Sequence, residues 1–330
     1  MKTYQKIYLL LKEREDYVSG EDYVSGEDYV SGEDLAQELG ISRTSIWKAI
    51  RQLETHGLTI EAARNRGYRL AEGDLLLPEL ISQELQLPVH LNMDSDSTQL
   101  DAKQGIESGH ISPALYLAPY QNKAKGRFGR PFYASKSGGI YMSLRLSPNV
   151  PFLEFKPYTI LAAAAVVKAI QSLCDLDVQI KWVNDIYLGH KKVAGILTEA
   201  ISSMENQRVT DVIIGVGINV RIDDFPKELQ QSAGNLFEEQ PPFTRNQLIT
   251  AIWKAFLETD EKELIALYKE KSLVVGQQVS FVENQVEFKG TAIAVTDTGN
   301  LVIQLDNGKA KIISSGEISL TSWPASPPNE

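Results

Sequence analysis

Residues 123–130 read KAKGRFGR. Lys123, Lys125, Arg127 and Arg130 fall within eight positions, broken by Gly126 and Gly129. Glycine opens backbone conformations closed to other residues and lets main-chain amides approach a ligand. Arginine grips phosphate oxygens with a planar fork. A loop of this kind between strands suits nucleotidyl transfer, where charge builds on the α-phosphate and the leaving pyrophosphate. A solvated basic loop has the same composition, so this segment alone leaves both readings open. A second segment, KWVNDIYLGHKKVAGILTE at 181–199, puts Asn184 and Asp185 at a strand end and Lys192 at the start of the next strand. Facing each other across a short hairpin, they would bring a carboxylate and an ammonium into one cleft. The plainer alternative is an exposed turn with a surface lysine. A third, DVIIGVGINV at 211–220, offers Gly215 and Gly217 for close backbone approach and Asn219 for hydrogen bonding. It is no dinucleotide fingerprint, because no helix with a third glycine follows.

These segments need a scaffold, and the chain of 330 residues is long enough for two or three domains. ALYLAPY, IYMSLRL, VQIKWV, KVAGILTEAIS and DVIIGVGINV read as strands, and TILAAAAVVKAIQSLC and the stretch 244–271 as helices. Hairpin spacing around YLGHKK favours antiparallel pairing. From about 271, short alternating strands with turns such as Asp306-Asn307-Gly308 predict a small all-β barrel. The expected architecture is α+β: a winged helix-turn-helix over 1–73, a mixed α/β-sheet domain over 74–270, an SH3-like barrel over 271–323 and a disordered tail over 324–330.

The N-terminal reading rests on caps and periodicity. Residues 3–14 read as a helix with Tyr4, Ile7, Tyr8, Leu10 and Leu11 on its apolar positions. Ser31 precedes a helix through Leu35, Ala36 and Leu39 that Gly40 stops. Ser42 precedes another with Ile46, Ala49, Ile50 and Leu53 on one face. A hairpin with ARNRG at its turn follows. In a winged helix the second helix of the motif enters the major groove. Here it would expose Arg43, Thr44, Lys48 and Arg51, and the wing would add Arg64, Arg66 and Arg69. This predicts a locally basic, DNA-contacting domain. A solvated face on an interaction domain is the alternative.

The hexapeptide EDYVSG occurs three times from residue 15, and Glu33-Asp34 begins a fourth copy. One copy suffices to turn the chain, cap the next helix and place acids at its positive end. The other two predict a longer mobile loop, and each doubling of a loop costs only about 0.6 kcal/mol. Their acids would weaken operator binding, or the lengthened loop would shift the first helix. Deleting residues 15–26 and measuring operator affinity across salt concentrations tests this, and unchanged affinity at every salt rules it out.

Overall charge is −10, so any nucleic-acid contact must be local. Cys174 is the sole cysteine, excluding an intramolecular disulfide and fitting a reducing compartment. Residues 1–16 lack the apolar run of a signal peptide, and the longest apolar stretch carries Lys168 and is too short to span a bilayer. A cytoplasmic protein without membrane association is expected.

Taken in order, DST at 96–98, KGRFGR at 125–130, KWVND at 181–185, KKVAGIL at 191–197, GVGINV at 215–220 and GEISL at 316–320, preceded by the winged helix, resemble the bifunctional biotin–protein ligase and biotin operon repressor family. The resemblance covers the chain apart from the repeat and tail. It implies that biotin and ATP form biotinyl-5′-adenylate, and that biotin then passes to a lysine of a carboxyl-carrier domain. It implies biotin contacts from Ser97, Thr98, Gln121, Lys192 and Gly195. It assigns the adenylate to Lys125, Gly126, Arg127, Gly129, Arg130, Asn184 and Asn219. Lys192, Arg127 and Asp185 would be catalytic, with Mg²⁺ expected alongside ATP and no protein metal site. The adenylate would also be corepressor, favouring a homodimer on a palindromic operator. The chain departs from the family in Ala124-Lys125 for Gly-Arg, Pro131-Phe132 for Lys-Trp and Val183 for Pro. Two rivals are a lipoate-type ligase, which lacks a winged helix, and a regulator without enzymatic activity. A ligase with weakened repression is a third variant of the reading.

Overall fold

The computed structural model describes residues 1–18 and 29–321 and divides into two units. The middle of the hexapeptide repeat and the tail from 322 lie outside the described residues, and with them the expected mobile loop and disordered tail. The first unit is Met1–Leu80 with Thr244–Asn246; the rest of the chain forms the second.

In the first unit α1 (Thr3–Val18), α2 (Gly32–Leu39) and α3 (Arg43–Thr55) precede strands β1 (Thr59–Ala63) and β2 (Gly67–Glu72). α1 runs four residues beyond its expected end at residue 14 and takes in the first EDYV of the repeat; no glycine or proline interrupts it there. Ser31 accepts the Asp34 amide and caps α2, Gly40 takes the left-handed conformation that ends it, and Ser42 accepts the Ser45 amide at the start of α3. Tyr4, Ile7, Tyr8 and Leu11 of α1 meet Leu35, Ile46, Ile50, Leu53 and Leu70 in one core. The last copy of the repeat is built into this unit. Val30 exchanges two main-chain hydrogen bonds with Tyr68 of β2, each 2.9 Å. The Tyr29 hydroxyl donates to Glu61 at 2.8 Å. Near the end of the unit, Arg245 pairs with Asp74 at 2.5 Å.

α4 (Pro78–Leu85) leads on to the second unit. Its sheet contains β3 (Val89–Leu91), β4 (Ala114–Ala118), β5 (Gly139–Leu146), β6 (Val150–Pro151), β7 (Val178–Lys181), β8 (Asp185–Leu188), β9 (Lys191–Ser203) and β10 (Arg208–Asn219). The strands run in the order β3-β4-β5-β10-β9-β8-β7, with β6 also on β10. Every pair is antiparallel except β3–β4, as the hairpin spacing implied. Two helices cover opposite faces. Ile213 packs with Ala102 of α5 (Thr98–Glu107). Thr198, register partner of the next residue Ile214, bonds Thr159 of α6 (Tyr158–Leu173). The apolar stretch containing Lys168 is this buried α6, and α7 (Arg245–Glu258) and α8 (Glu261–Glu270) follow the sheet. Among the described residues no helix is long and apolar enough to cross a membrane.

Strands β11 (Gln278–Glu283), β12 (Val286–Val295), β13 (Leu301–Leu305), β14 (Ala310–Ile313) and β15 (Ile318–Leu320) form a five-stranded antiparallel sheet ordered β14-β13-β12-β11-β15. Their alternating Val279, Phe281, Leu301, Ile303 and Ile318 are buried. Trp182 Nε1 donates to the Gly299 carbonyl at 2.8 Å, tying the turn between β7 and β8 to this sheet.

Candidate functional site

A cavity of about 410 Å³ opens on the α5 side of the large sheet. Its floor is bare backbone. Gly195 of β9 and Gly217 of β10 are register partners, and the Phe132 ring lies across them. A Cβ added at Gly217 would stand 2.6 Å from that ring, and one at Gly195 would stand 3.2 Å from the Lys192 Nζ. A Cβ at Gly215 would press on Gln99 at 3.1 Å. The glycines are needed here because Phe132, Gln99 of α5 and Lys192 of β9 itself already lie over the sheet.

The basic loop arches over this floor. Its base is closed by the Phe132 amide donating to the Ala124 carbonyl at 3.0 Å and the Gly126 amide to Arg130 at 2.8 Å. At the tip Phe128 and Gly129 both take positive φ, 57° and 71°. This reversal directs Arg127 and Arg130 to different partners. Arg127 Nη1 donates to Asn184 Oδ1 at 3.2 Å, and Asn184 is itself held by its Nδ2 donating to the Ile196 carbonyl at 2.9 Å. Arg130 pairs with Glu317, from the C-terminal sheet, at 2.5 Å.

Lys192 and Asp185 meet at 2.7 Å. The sequence had placed Asp185 at a strand end; it instead opens β8, because Trp182–Asn184 form the turn after β7. Lys192 sits opposite Tyr187 and reaches diagonally to Asp185 two residues away. Both groups are substantially screened from solvent, so each offsets the other's desolvation.

Gln121 Oε1 accepts the Thr98 amide at 2.7 Å, satisfying one of the orphan donors that begin α5. Thr98 Oγ1 lies 2.8 Å from Ser143 Oγ, and Ser97 and Thr98 are buried. Ser97, Thr98, Gln121, Lys125, Gly126, Arg127, Arg130, Asn184, Asp185, Lys192 and Gly195 all line the one cavity. Gly129 does not line it, being at the outer tip of the arch. Asn219 does not either: it is buried at the end of β10, with Nδ2 donating to the Gly234 carbonyl at 3.1 Å.

The sequence reading passed over Lys181, Tyr187, Gln99 and Glu317, which also line the cavity. Burial pulls the Lys181 ammonium below its ordinary pKa, with Lys192 acting in the same direction and Asp185 and Glu317 opposing. Its Nζ lies 5.7 Å from the Tyr187 ring centre. Burial and then Asp185 push the Tyr187 phenol up to about 12. Lys181 stood in a quoted motif, but nothing in its spacing told that it would face inward. Glu317 is 187 positions from its partner, and no local pattern connects them.

In the first unit Arg43, Thr44, Lys48 and Arg51 are exposed on α3, and Arg64 and Arg66 are exposed in the turn of the wing. Arg69 is committed within the wing to Glu61 at 2.6 Å. The expectation of a net basic segment needs correction. Over 31–73, Arg43, Lys48, Arg51, Arg64, Arg66 and Arg69 are matched in number by Glu33, Asp34, Glu38, Glu54, Glu61 and Glu72. The bias lies in placement: no acid stands at positions 43–53 of α3 or in the wing turn at 64–66.

Three family models match in succession. Residues 24–69 match an HTH domain, 94–219 the biotin/lipoate A/B protein ligase family, and 274–321 the biotin protein ligase C-terminal domain. The bifunctional ligase/repressor BirA of Bacillus subtilis is 32% identical over 301 residues, spanning 85% of this chain and 91% of that protein. The chain belongs to the bifunctional biotin ligase/repressor family. The Escherichia coli ligase/repressor BirA is 28% identical over 310 residues, 87% of this chain and 92% of that one. A solved biotin protein ligase from Aquifex aeolicus, in complex with biotin and ATP, is 27% identical with a TM-score of 0.59, covering 70% of this chain and 97% of that one. This ligase/repressor is therefore a biotin–protein ligase with a DNA-binding repressor domain. The C-terminal match and the biotin-ligase relatives set it apart from the lipoate-type alternative.

Proposed function

We propose that the cavity joins biotin to ATP and then hands the biotinyl group to a lysine of a carboxyl-carrier domain. In the first step the biotin carboxylate attacks the α-phosphorus, forming the acyl–phosphate bond of biotinyl-5′-AMP, and pyrophosphate leaves. In the second, the carrier amine attacks the acyl carbon, the amide forms, and AMP leaves with the electron pair. The observation that carries this reading is the gathering of Lys181, Lys192, Arg127 and Arg130 around one glycine-floored cavity. Two anions must be brought together, and fixed cations lower that barrier.

In this reading biotin lies beside the Phe132 ring that covers Gly195 and Gly217, next to Ser97, Thr98 and Gln121, and the arch of Lys125, Gly126, Arg127, Gly129 and Arg130 covers the phosphates with Asn184. Asn219 supports the nucleotide side indirectly, through the main chain of Gly234. Lys192 turns from Asp185 to the reacting anions, which leaves Asp185 able to take the proton of the carrier ammonium. The arch excludes water from the labile anhydride. Among the described residues no group of three or more His, Cys, Asp or Glu gathers. Mg²⁺ enters as part of the MgATP substrate, held mainly by phosphate oxygens.

The same adenylate acts as corepressor, favouring a homodimer whose two winged helices meet a palindromic operator. Such a switch suits a cytoplasmic protein. Incubating the chain with biotin and MgATP, with and without a carrier domain, and analysing the products by mass spectrometry tests the enzymatic part. Adenylate alone, then biotinylated lysine when carrier is added, is expected, with no product from lipoate. Absence of both products overturns the reading.

A further inference from the structure

Trp47 stands in the middle of the outward face of α3, 51% exposed. Nothing in the ligase chemistry uses it, and the core of its unit is complete without it: Ile46, Ala49, Ile50 and Leu53 fill the inward face of the same helix. Thr44, Trp47, Lys48 and Arg51 follow the i, i+3, i+4, i+7 spacing and so form one stripe, with Arg43 at its start. The Arg51 guanidinium lies 5.5 Å from the indole centre. The ring is thus a large apolar surface set among cations.

That combination narrows the partner. The cations call for a polyanion, and the indole calls for an apolar group lying between the anionic rails. Duplex DNA offers both, since the major groove is flanked by phosphates. The apolar group that a base pair presents on its floor is the thymine C5-methyl. An acidic protein surface would satisfy the cations, but it would offer no apolar group at a fixed depth between two rows of charge.

We propose that Trp47 packs on a thymine methyl of the operator and so helps to determine which sequence the repressor reads. This rests on the DNA-binding role of the domain and goes beyond it by naming the base group recognised and the residue that recognises it. The flanking Arg43, Lys48 and Arg51 contribute phosphate contacts that any duplex satisfies.

The test uses the full chain with biotin and MgATP. Duplexes enriched by the wild-type protein from a random pool are resynthesised with deoxyuridine at each thymine in turn, which removes one methyl at a time. Affinity is read by fluorescence anisotropy at fixed salt. At one thymine position in each half-site, loss of the methyl weakens the wild type about three- to tenfold, the scale of burying one methyl on an aromatic surface. Trp47→Ala binds the thymine and deoxyuridine duplexes equally at that position, and Trp47→Phe keeps part of the difference. Arg51→Ala weakens all duplexes alike and flattens the salt dependence. Biotin-dependent pyrophosphate release by Trp47→Ala stays at the wild-type rate, showing an intact catalytic unit, and its affinity for the deoxyuridine duplex matches that of the wild type, showing that the first unit is folded. The proposal is overturned if no thymine is sensitive in the wild type, or if Trp47→Ala retains the same sensitivity. Failure to enrich any duplex would instead overturn the DNA-binding reading itself, and this proposal with it.

Discussion

On α3, Lys48 is exposed next to the exposed indole of Trp47, and Arg51 meets Glu54 at 3.0 Å in a pair open to solvent. In the cavity, Lys192 and Arg130 each touch a carboxylate, and Arg127 touches an amide oxygen. The contrast follows from where each charge sits. A solvated cation is held at little cost, and the ion pairs it makes are weak, so the reading face can exchange its exposed partners for phosphates. A cation drawn into a cavity loses hydration and must be compensated from within the chain. In the proposed reaction the incoming anions would displace Asp185 from Lys192; the Arg130–Glu317 pair, 67% and 48% exposed, is held with little help from burial. The reading face needs affinity tuned by salt; the cavity needs charges already aimed.

The largest effect that would break this comparison is at Lys192. Lys192→Ala removes a cation from the reacting centre, and kcat for biotin-dependent pyrophosphate release falls by about 10²–10³-fold. An unchanged rate would show that the pairing with Asp185 is structural alone. Next is Gly217→Ala, whose added methyl meets Phe132. Stability falls by about 1–3 kcal/mol in denaturant titration, the KM for biotin rises, and the double variant with Phe132→Leu recovers part of both. Glu317→Gln sharpens the comparison more gently. It opens a partly exposed ion pair worth under about 1 kcal/mol, so the KM for ATP changes a few-fold and the change shrinks in high salt.

The smallest signal is in the pH slope at Lys181. Burial lowers its folded-state pKa, so between that value and the unfolded one the unfolded chain binds more protons. Its penalty on folding is therefore full at low pH and fades as pH rises through the folded pKa. Lys181→Met removes at most one titrating proton: the variant gains stability most at the acidic end of that window, and its stability-against-pH curve is flatter in thermal melts.

Legibility followed sequence distance. Ser31, Gly40 and Ser42 declared the helix ends of the first unit because caps act within three residues. The spacing of Ile46, Ala49, Ile50 and Leu53 told which face was core. The loop at 123–130 and the 181–199 segment supplied candidate groups by composition, the structure brings them to one cavity, and the ordered motifs named the family. Three things were misread or missed. Asp185 was assigned to the wrong end of its strand, since the turn at 182–184 has none of the usual glycine or proline. Asn219 was assigned to the nucleotide, but its amide is used to hold Gly234. The segment judged basic is balanced in number and biased only in placement.

By itself, the order of residues determined the elements, the exposed face of α3 and the family, and it named the candidate reacting groups, because these depend on periodicity and on chemistry carried by single side chains. Only the tertiary structure decided that Phe132 would roof Gly195 and Gly217, that Lys181 would turn inward, and that Arg130 would find Glu317. Those outcomes depend on which distant surfaces are brought within a few ångströms of one another. Where such charges are also screened from water, as Lys192 and Asp185 are, desolvation favours their pairing.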